Sequence, residues 1–191
     1  TFALYGYSVK IYEYSPVIKS QIIPLIQAEL EFLKEQDYID ASQIESTLKN
    51  ITICDTVKEA AIDADYVIEA IAENITLKRE LFKELDSYCK SETIFATNTS
   101  SLSLSDMLPA VSEARKSKML VCHWYNPAHL MPIAELSYFG NMDEATFSAV
   151  EELYLNIEKQ VVRILKDVPG LVANRIQQAI AREVFSLIEM Q

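Results

Sequence analysis

The sequence predicts an α/β domain built on a doubly wound, mostly parallel sheet. Three observations point that way. Short runs rich in β-branched and aromatic residues alternate with longer amphipathic stretches, as strands alternate with crossover helices. Half of the 191 residues are hydrophobic and 24% are charged, a balance that can bury a core and does not suit a disordered chain. No internal repeat, low-complexity tract or Pro/Gly/Ser linker divides the middle of the chain.

Each element has its own local reason. Thr1–Gly6 reads as the last turn of a helix with glycine at its C-terminal cap. Ser8–Glu13 alternates in strand fashion. Ser15 then serves as N-cap with Pro16 at the first helical position, and the helix runs to about Gln36 with a kink expected at Pro24. Further strands are expected at Ile51–Cys54, Tyr66–Ala70, Thr93–Thr97, Met119–Trp124, Ile133–Tyr138 and Val161–Leu165. Helices are expected between them at Thr56–Asp63, Glu73–Cys89, Ser103–Pro109 and Asp143–Glu158. In the second of these, Leu77, Leu81, Phe82 and Leu85 have the spacing of one apolar face. After Asp167-Val168-Pro169-Gly170 a last helix is expected over Leu171–Met190. It looks like the first helix of a second domain, which divides the chain into 1–167 and 168–191 and makes it read as incomplete at both ends.

Composition excludes several classes of partner. The formal net charge is −11, which argues against nucleic acid, because that binding is driven by cationic side chains. No apolar run approaches the roughly 18–20 residues of a membrane span, and the start lacks the layout of a signal peptide. Cys54, Cys89 and Cys122 form no metal knuckle and no disulfide framework, so no metal site is expected and a reducing cytoplasm is the simpler setting. Gly6, Gly140 and Gly170 are the only glycines. They are too scattered to form a glycine-rich phosphate loop.

Four places carry candidate chemistry. Glu13, an acid at the carboxyl end of an early strand, suits the two hydroxyls of an adenosine ribose and would repel a 2′-phosphate; on position alone a solvated strand-end acid is the plainer reading. Thr97-Asn98-Thr99-Ser100-Ser101 lies where open α/β sheets place ligand contacts, and it also fits an N-cap cluster for the next short helix. His123 ends an apolar strand, and Glu135 lies inside the next one, Ile133-Ala134-Glu135-Leu136. A lone carboxylate there needs a partner. If the two strands are neighbours, His123 and Glu135 satisfy each other, either as a general base with its orienting acid or as a structural hydrogen bond. His129 reads as a loop residue. Finally, Asn174 falls one turn into the last helix, facing a crevice or a neighbour.

Taken together, these segments resemble the L-3-hydroxyacyl-CoA dehydrogenase family over essentially the whole chain. The resemblance is carried by Val67 through Asn74, Lys78, Phe95 through Leu102, His123 through Pro132, Glu135, and Pro169 through Arg175. It implies an NAD-binding Rossmann-type domain, here without its first strand and glycine-rich turn, followed by an all-helical domain that forms a homodimer. It also implies NAD as cofactor and oxidation of an L-3-hydroxyacyl-CoA to the 3-oxoacyl-CoA in fatty-acid metabolism. In that family pattern His123 is the base and Glu135 orients it. Ser100 and Asn126 hold the substrate oxygen and the nicotinamide end, Asn174 positions substrate, and Glu13, Glu73 and Lys78 serve the rest of the dinucleotide. Trp124-Tyr125 stands where the family more often has two phenylalanines. Two alternatives stay open: a dehydrogenase of a free 3-hydroxy acid, as in relatives resembling lambda-crystallin and gulonate dehydrogenase, and a non-catalytic NAD-binding relative.

Overall fold

The computed structural model describes residues 1–190; Gln191, the last residue of the expected 168–191 segment, lies outside the described residues. The chain divides into two compact units. One comprises residues 1–64 and 88–90, and the other residues 65–87 and 91 onward.

In the first unit a 3-10 turn, Phe2–Tyr5, is closed by Gly6 in the left-handed conformation. Strand β1 (Val9–Tyr12) follows, then helix α1 (Pro16–Glu35), which starts at the Ser15 cap expected for it and carries Pro24 in its interior. Helix α2 (Ala41–Lys49) was not anticipated. Its signal is nevertheless local: the Gln43 side chain accepts from the amide of Asp40 at 2.8 Å, half of a capping box. Strand β2 (Ile51–Cys54) pairs in parallel with β1, placing Val9 opposite Ile51. Helix α3 (Val57–Ala61) starts from Thr56, whose hydroxyl and the carboxylate of Glu59 cap each other's backbone amides.

The second unit opens with β3 (Tyr66–Glu69), α4 (Ile75–Asp86) and β4 (Ile94–Thr97). The buried face of α4 is Lys78, Phe82 and Leu85, whereas Leu77 is exposed. Phe82 and Leu85 thus lie on the expected face, but in its first turn Lys78 replaces Leu77, its ammonium reaching inward to Glu69 at 2.6 Å. Phe82 stacks on Phe95 of β4. Short helices α5 (Leu104–Met107) and α6 (Glu113–Lys116) lead to β5 (Met119–Trp124). Strand β6 (Ile133–Ser137), helix α7 (Glu144–Leu155), β7 (Gln160–Ile164) and α8 (Ala173–Glu189) complete the unit.

The sheet order in this unit is β3-β4-β5-β6-β7, parallel at every junction except the antiparallel β5–β6 pair. A parallel return needs a crossover of a dozen or more residues, and the segment from Tyr125 to Pro132 is too short for one. The β6-to-β7 connection has room for α7 and is parallel. Phe147, Val150 and Tyr154 form the buried face of α7, and with Phe95, Met119, Leu120 and Leu136 they make up much of the core. Fold class is therefore α/β and Rossmann-like. Helix α8 contributes no buried side chain, and Ile176, Ile180, Val184 and Leu187 lie exposed along it. No helix among the described residues is long and apolar enough to cross a membrane.

Candidate active site

The β5–β6 register sets His123 directly opposite Glu135. Side chains of directly opposed residues project from the same face of a sheet, and here Nδ1 of His123 lies 2.9 Å from Oε2 of Glu135. The carboxylate is 2% exposed and the imidazole 12%. The sequence argument that each would satisfy the other therefore has its geometric condition met.

Glu135 also does something the sequence did not disclose. Its Oε1 accepts from the amides of Val172 and Ala173 at 3.0 and 3.1 Å, the unpaired donors at the start of α8. Burial pushes the Glu135 carboxyl pKa up, but Tyr125, His123 and these two amides outweigh it and hold the pKa below the usual range. Tyr125 places its ring edge-on to His123, with centroids 4.8 Å apart. Its hydroxyl is buried beside the Glu135 carboxylate and makes no well-aligned hydrogen bond among the described residues. Burial and the nearby Glu135 charge raise the phenol pKa far above its ordinary value. Tyr125 lines a shallow open groove with Ala173, Asn174, Ile176, Gln177 and Ile180.

The polar segment after β4 packs beside this pair. The Asn98 side chain accepts from the amide of Trp124 at 2.9 Å, tying the ends of β4 and β5 together. The hydroxyls of Thr99 and Ser101 both donate to Oε1 of Glu73. Burial raises the Glu73 pKa, but these two hydroxyls and Lys78 outweigh it and leave the carboxyl below the usual range. Ser100 accepts at its carbonyl from Gly170 N at 2.6 Å, so this loop is anchored to the start of the α8 segment. Asp167 caps α5 through Ser103, Leu104 and Ser105, and those bonds hold its pKa down against burial.

Lys78, 1% exposed, lies beneath the loop between Glu69 and Glu73, at 2.6 and 3.3 Å. Glu69 is fully enclosed and also accepts from Thr97 Oγ1 and Ile71 N. Sequence reasoning assigned Glu69 no role, although the logic applied to Glu135, a lone acid in an apolar strand, applies to it equally. Lys78 and Glu73 thus brace the Thr99–Ser101 loop. Asn126 is exposed and precedes a cis bond to Pro127. Glu13 belongs to the first unit, where its Oε1 accepts from Ser15 N at 2.8 Å. Among the described residues no group of three or more His, Cys, Asp or Glu could hold a metal ion.

A family model described as the NAD binding domain of 3-hydroxyacyl-CoA dehydrogenase matches residues 1–168. The chain belongs to that family. A probable 3-hydroxybutyryl-CoA dehydrogenase from Bacillus subtilis is 32% identical over 90% of this chain and 58% of its own length. L-carnitine dehydrogenase from Streptomyces coelicolor is 27% identical over 98% of this chain and 57% of its own. The crystal structure of 3-hydroxybutyryl-CoA dehydrogenase from Escherichia coli superposes with a TM-score of 0.91 at 28% identity, covering 99% of this chain and 39% of that one. This member of the 3-hydroxyacyl-CoA dehydrogenase family thus spans under 60% of the length of these two curated relatives. The matching family model is that of an NAD-binding domain, so NAD is the cofactor of the family.

Proposed function

We propose that the chain is the cofactor-binding and base-bearing part of an NAD-dependent dehydrogenase that oxidises the 3-hydroxyl of an L-3-hydroxyacyl-CoA to the 3-oxoacyl-CoA. The observation that carries this reading is the 2.9 Å contact between His123 Nδ1 and the buried Glu135. With Nδ1 donating to a carboxylate, Nε2 is the ring nitrogen left to accept a proton. His123 takes the proton of the C3 hydroxyl, and Glu135 fixes the tautomer and stabilises the imidazolium. Ser100 and Asn126 donate to the substrate oxygen, where charge develops, and Asn174 holds the acyl portion from α8.

Each unit by itself carries residues whose chemistry suits a dinucleotide. Glu13 sits at the carboxyl end of parallel strand β1, with one carboxylate oxygen on Ser15 N, which leaves the other to meet the adenine ribose. Ser100 and Asn126 serve the nicotinamide end. Glu73 and Lys78 serve it indirectly by bracing the Thr99–Ser101 loop. When bound, NAD supplies the hydride acceptor. Residues 168 onward begin a helical domain that closes the substrate site and carries the homodimer contact.

A free 3-hydroxy acid is the second reading, favoured by the match to L-carnitine dehydrogenase over 98% of this chain. The deciding experiment is a substrate panel on the full-length protein, followed as NADH absorbance. Turnover of hydroxyacyl thioesters supports the first reading; turnover of free acids alone overturns it. His123→Ala should lower turnover by about 10²–10⁴-fold with NAD affinity unchanged. Equal turnover in that variant would refute the base assignment.

A further inference from the structure

Lys159, immediately before β7, is 4% exposed, yet its ammonium points at main chain. It donates to the carbonyls of Ala128 at 2.8 Å and Met131 at 2.7 Å, and it lies 5.6 Å from the centroid of the Trp124 indole. Burying a cation is costly, and apolar residues of similar volume often stabilise a fold better. Desolvation accordingly lowers the pKa of this lysine, although the charge of Glu158 opposes the shift. What offsets the cost is a pair of charge-assisted hydrogen bonds and a cation–π contact, and all three end on one stretch of chain.

That stretch is the end of β5 and its connection to β6. Its internal bonds are short-range: the amides of Leu130 and Met131 both donate to the carbonyl of Pro127 at 3.0 Å. Gln160, the residue after Lys159, donates its amide to Pro132 at 2.6 Å. From one point beneath the loop, the 159–160 segment therefore holds the carbonyls of residues 128, 131 and 132. The loop begins at Asn126, three residues after His123, and Trp124 lies between His123 and Tyr125 on the same strand end.

We infer that Lys159 is a positioning residue, whose buried ammonium clamps the Asn126–Pro132 loop and the Trp124 indole so that Asn126 and His123 stay aligned for the reaction. This inference rests on the proposed dehydrogenase reading for its catalytic consequence, but not for the clamp itself.

Lys159→Met, in the full-length protein, keeps most of the side-chain volume and removes the three donors. Amide hydrogen exchange at Leu130 and Met131 should quicken about ten- to hundredfold relative to the β6 amides, with thermal stability within a few degrees of wild type. The kcat should fall by about tenfold or more while NAD affinity stays unchanged. Unaltered exchange at both amides, or a loss of kcat that only tracks loss of folded protein, overturns the clamp. If wild type turns over no hydroxy substrate, the function reading fails while the exchange measurement still decides the role of Lys159. Should the Met variant not fold, Lys159→Gln, which keeps a neutral donor, is measured with the same two readouts and the same criteria.

Discussion

Replacing Glu135 with glutamine tests the centre of the site, because an amide can satisfy both sets of neighbours only by changing the tautomer of His123. Oε1 accepts from Val172 N and Ala173 N, while Oε2 faces Nδ1 of His123. The two backbone amides are donors only, so the amide oxygen of the Glu135→Gln side chain must take the α8 position. The NH2 group then faces His123, and Nδ1 must become the acceptor. A neutral imidazole that accepts at Nδ1 carries its proton on Nε2, which is the atom proposed to receive the substrate proton. The substitution therefore imposes the wrong tautomer and also removes the charge that stabilises the imidazolium. The analogous wrong-tautomer change in a serine-protease triad costs about 10⁴ in kcat. A loss of about 10²–10⁴ is expected here, equivalent to about 2.7–5.4 kcal/mol of transition-state stabilisation. The assay is NADH formation at saturating cofactor and substrate, with NAD affinity measured separately by fluorescence. A kcat within about threefold of wild type would mean that the His123–Glu135 contact is structural, and the proposed base would be wrong.

Other consequences follow from buried charges elsewhere in the second unit. Lys78→Met leaves Glu69 fully enclosed with only Thr97 and Ile71 as donors; breaking a buried pair costs about 3–5 kcal/mol, which lowers the thermal midpoint by about 6–20 °C in a chain of this size. A midpoint within about 2 °C of wild type, read by circular dichroism, would show that this pair is not coupled to folding. The carboxyls of Glu135, Glu73, Asp86 and Asp167 all sit below their ordinary pKa. Groups depressed in the folded state add stability above the unfolded carboxylate pKa of about 4 and lose it as the pH falls through the folded values. Thermal midpoints should therefore be level from about pH 8 to 6 and drop below about pH 4.5, and Asp167→Asn should flatten the drop; an unchanged slope in that variant would remove Asp167 from the list.

The His123–Glu135 pair was legible in the sequence because two local facts coincide. A histidine ends one apolar run, and a solitary acid interrupts the next at a spacing that a short connection can fold back. The antiparallel turn between β5 and β6 follows from the length of that connection, yet a reading based on βαβ units passed over it. Lys78 shows a different limit. Apolar periodicity put Leu77 on the inner face, but one buried carboxylate, Glu69, outweighed that periodicity and turned Lys78 inward instead. Asn98 lay inside a segment marked as polar and ligand-facing, but its bond to Trp124 N depends on how β4 and β5 align at their ends. Lys159 had no signal at all, because its partners are main-chain carbonyls, which every residue has.

One of the three glycines stands at the junction before α8. Gly170 has φ +82°, and a Cβ added there would lie 3.2 Å from Cγ of Arg175. Its own amide holds the carbonyl of Ser100 at 2.6 Å. Leu171 follows at φ 47°, a conformation that costs a non-glycine residue energy and persists only where neighbours enforce it. The next two amides, of Val172 and Ala173, end on Glu135. Three of the four residues 170–173 thus connect the start of α8 first to the Ser100 loop and then to the carboxylate behind His123. A helix fastened in this way cannot shift without pulling on the Ser100 loop and on Glu135 of β6. The bonds on either side hold Leu171 in its strained conformation, and Gly170 stands where a φ of +82° disfavours any side chain and a Cβ would press on that of Arg175.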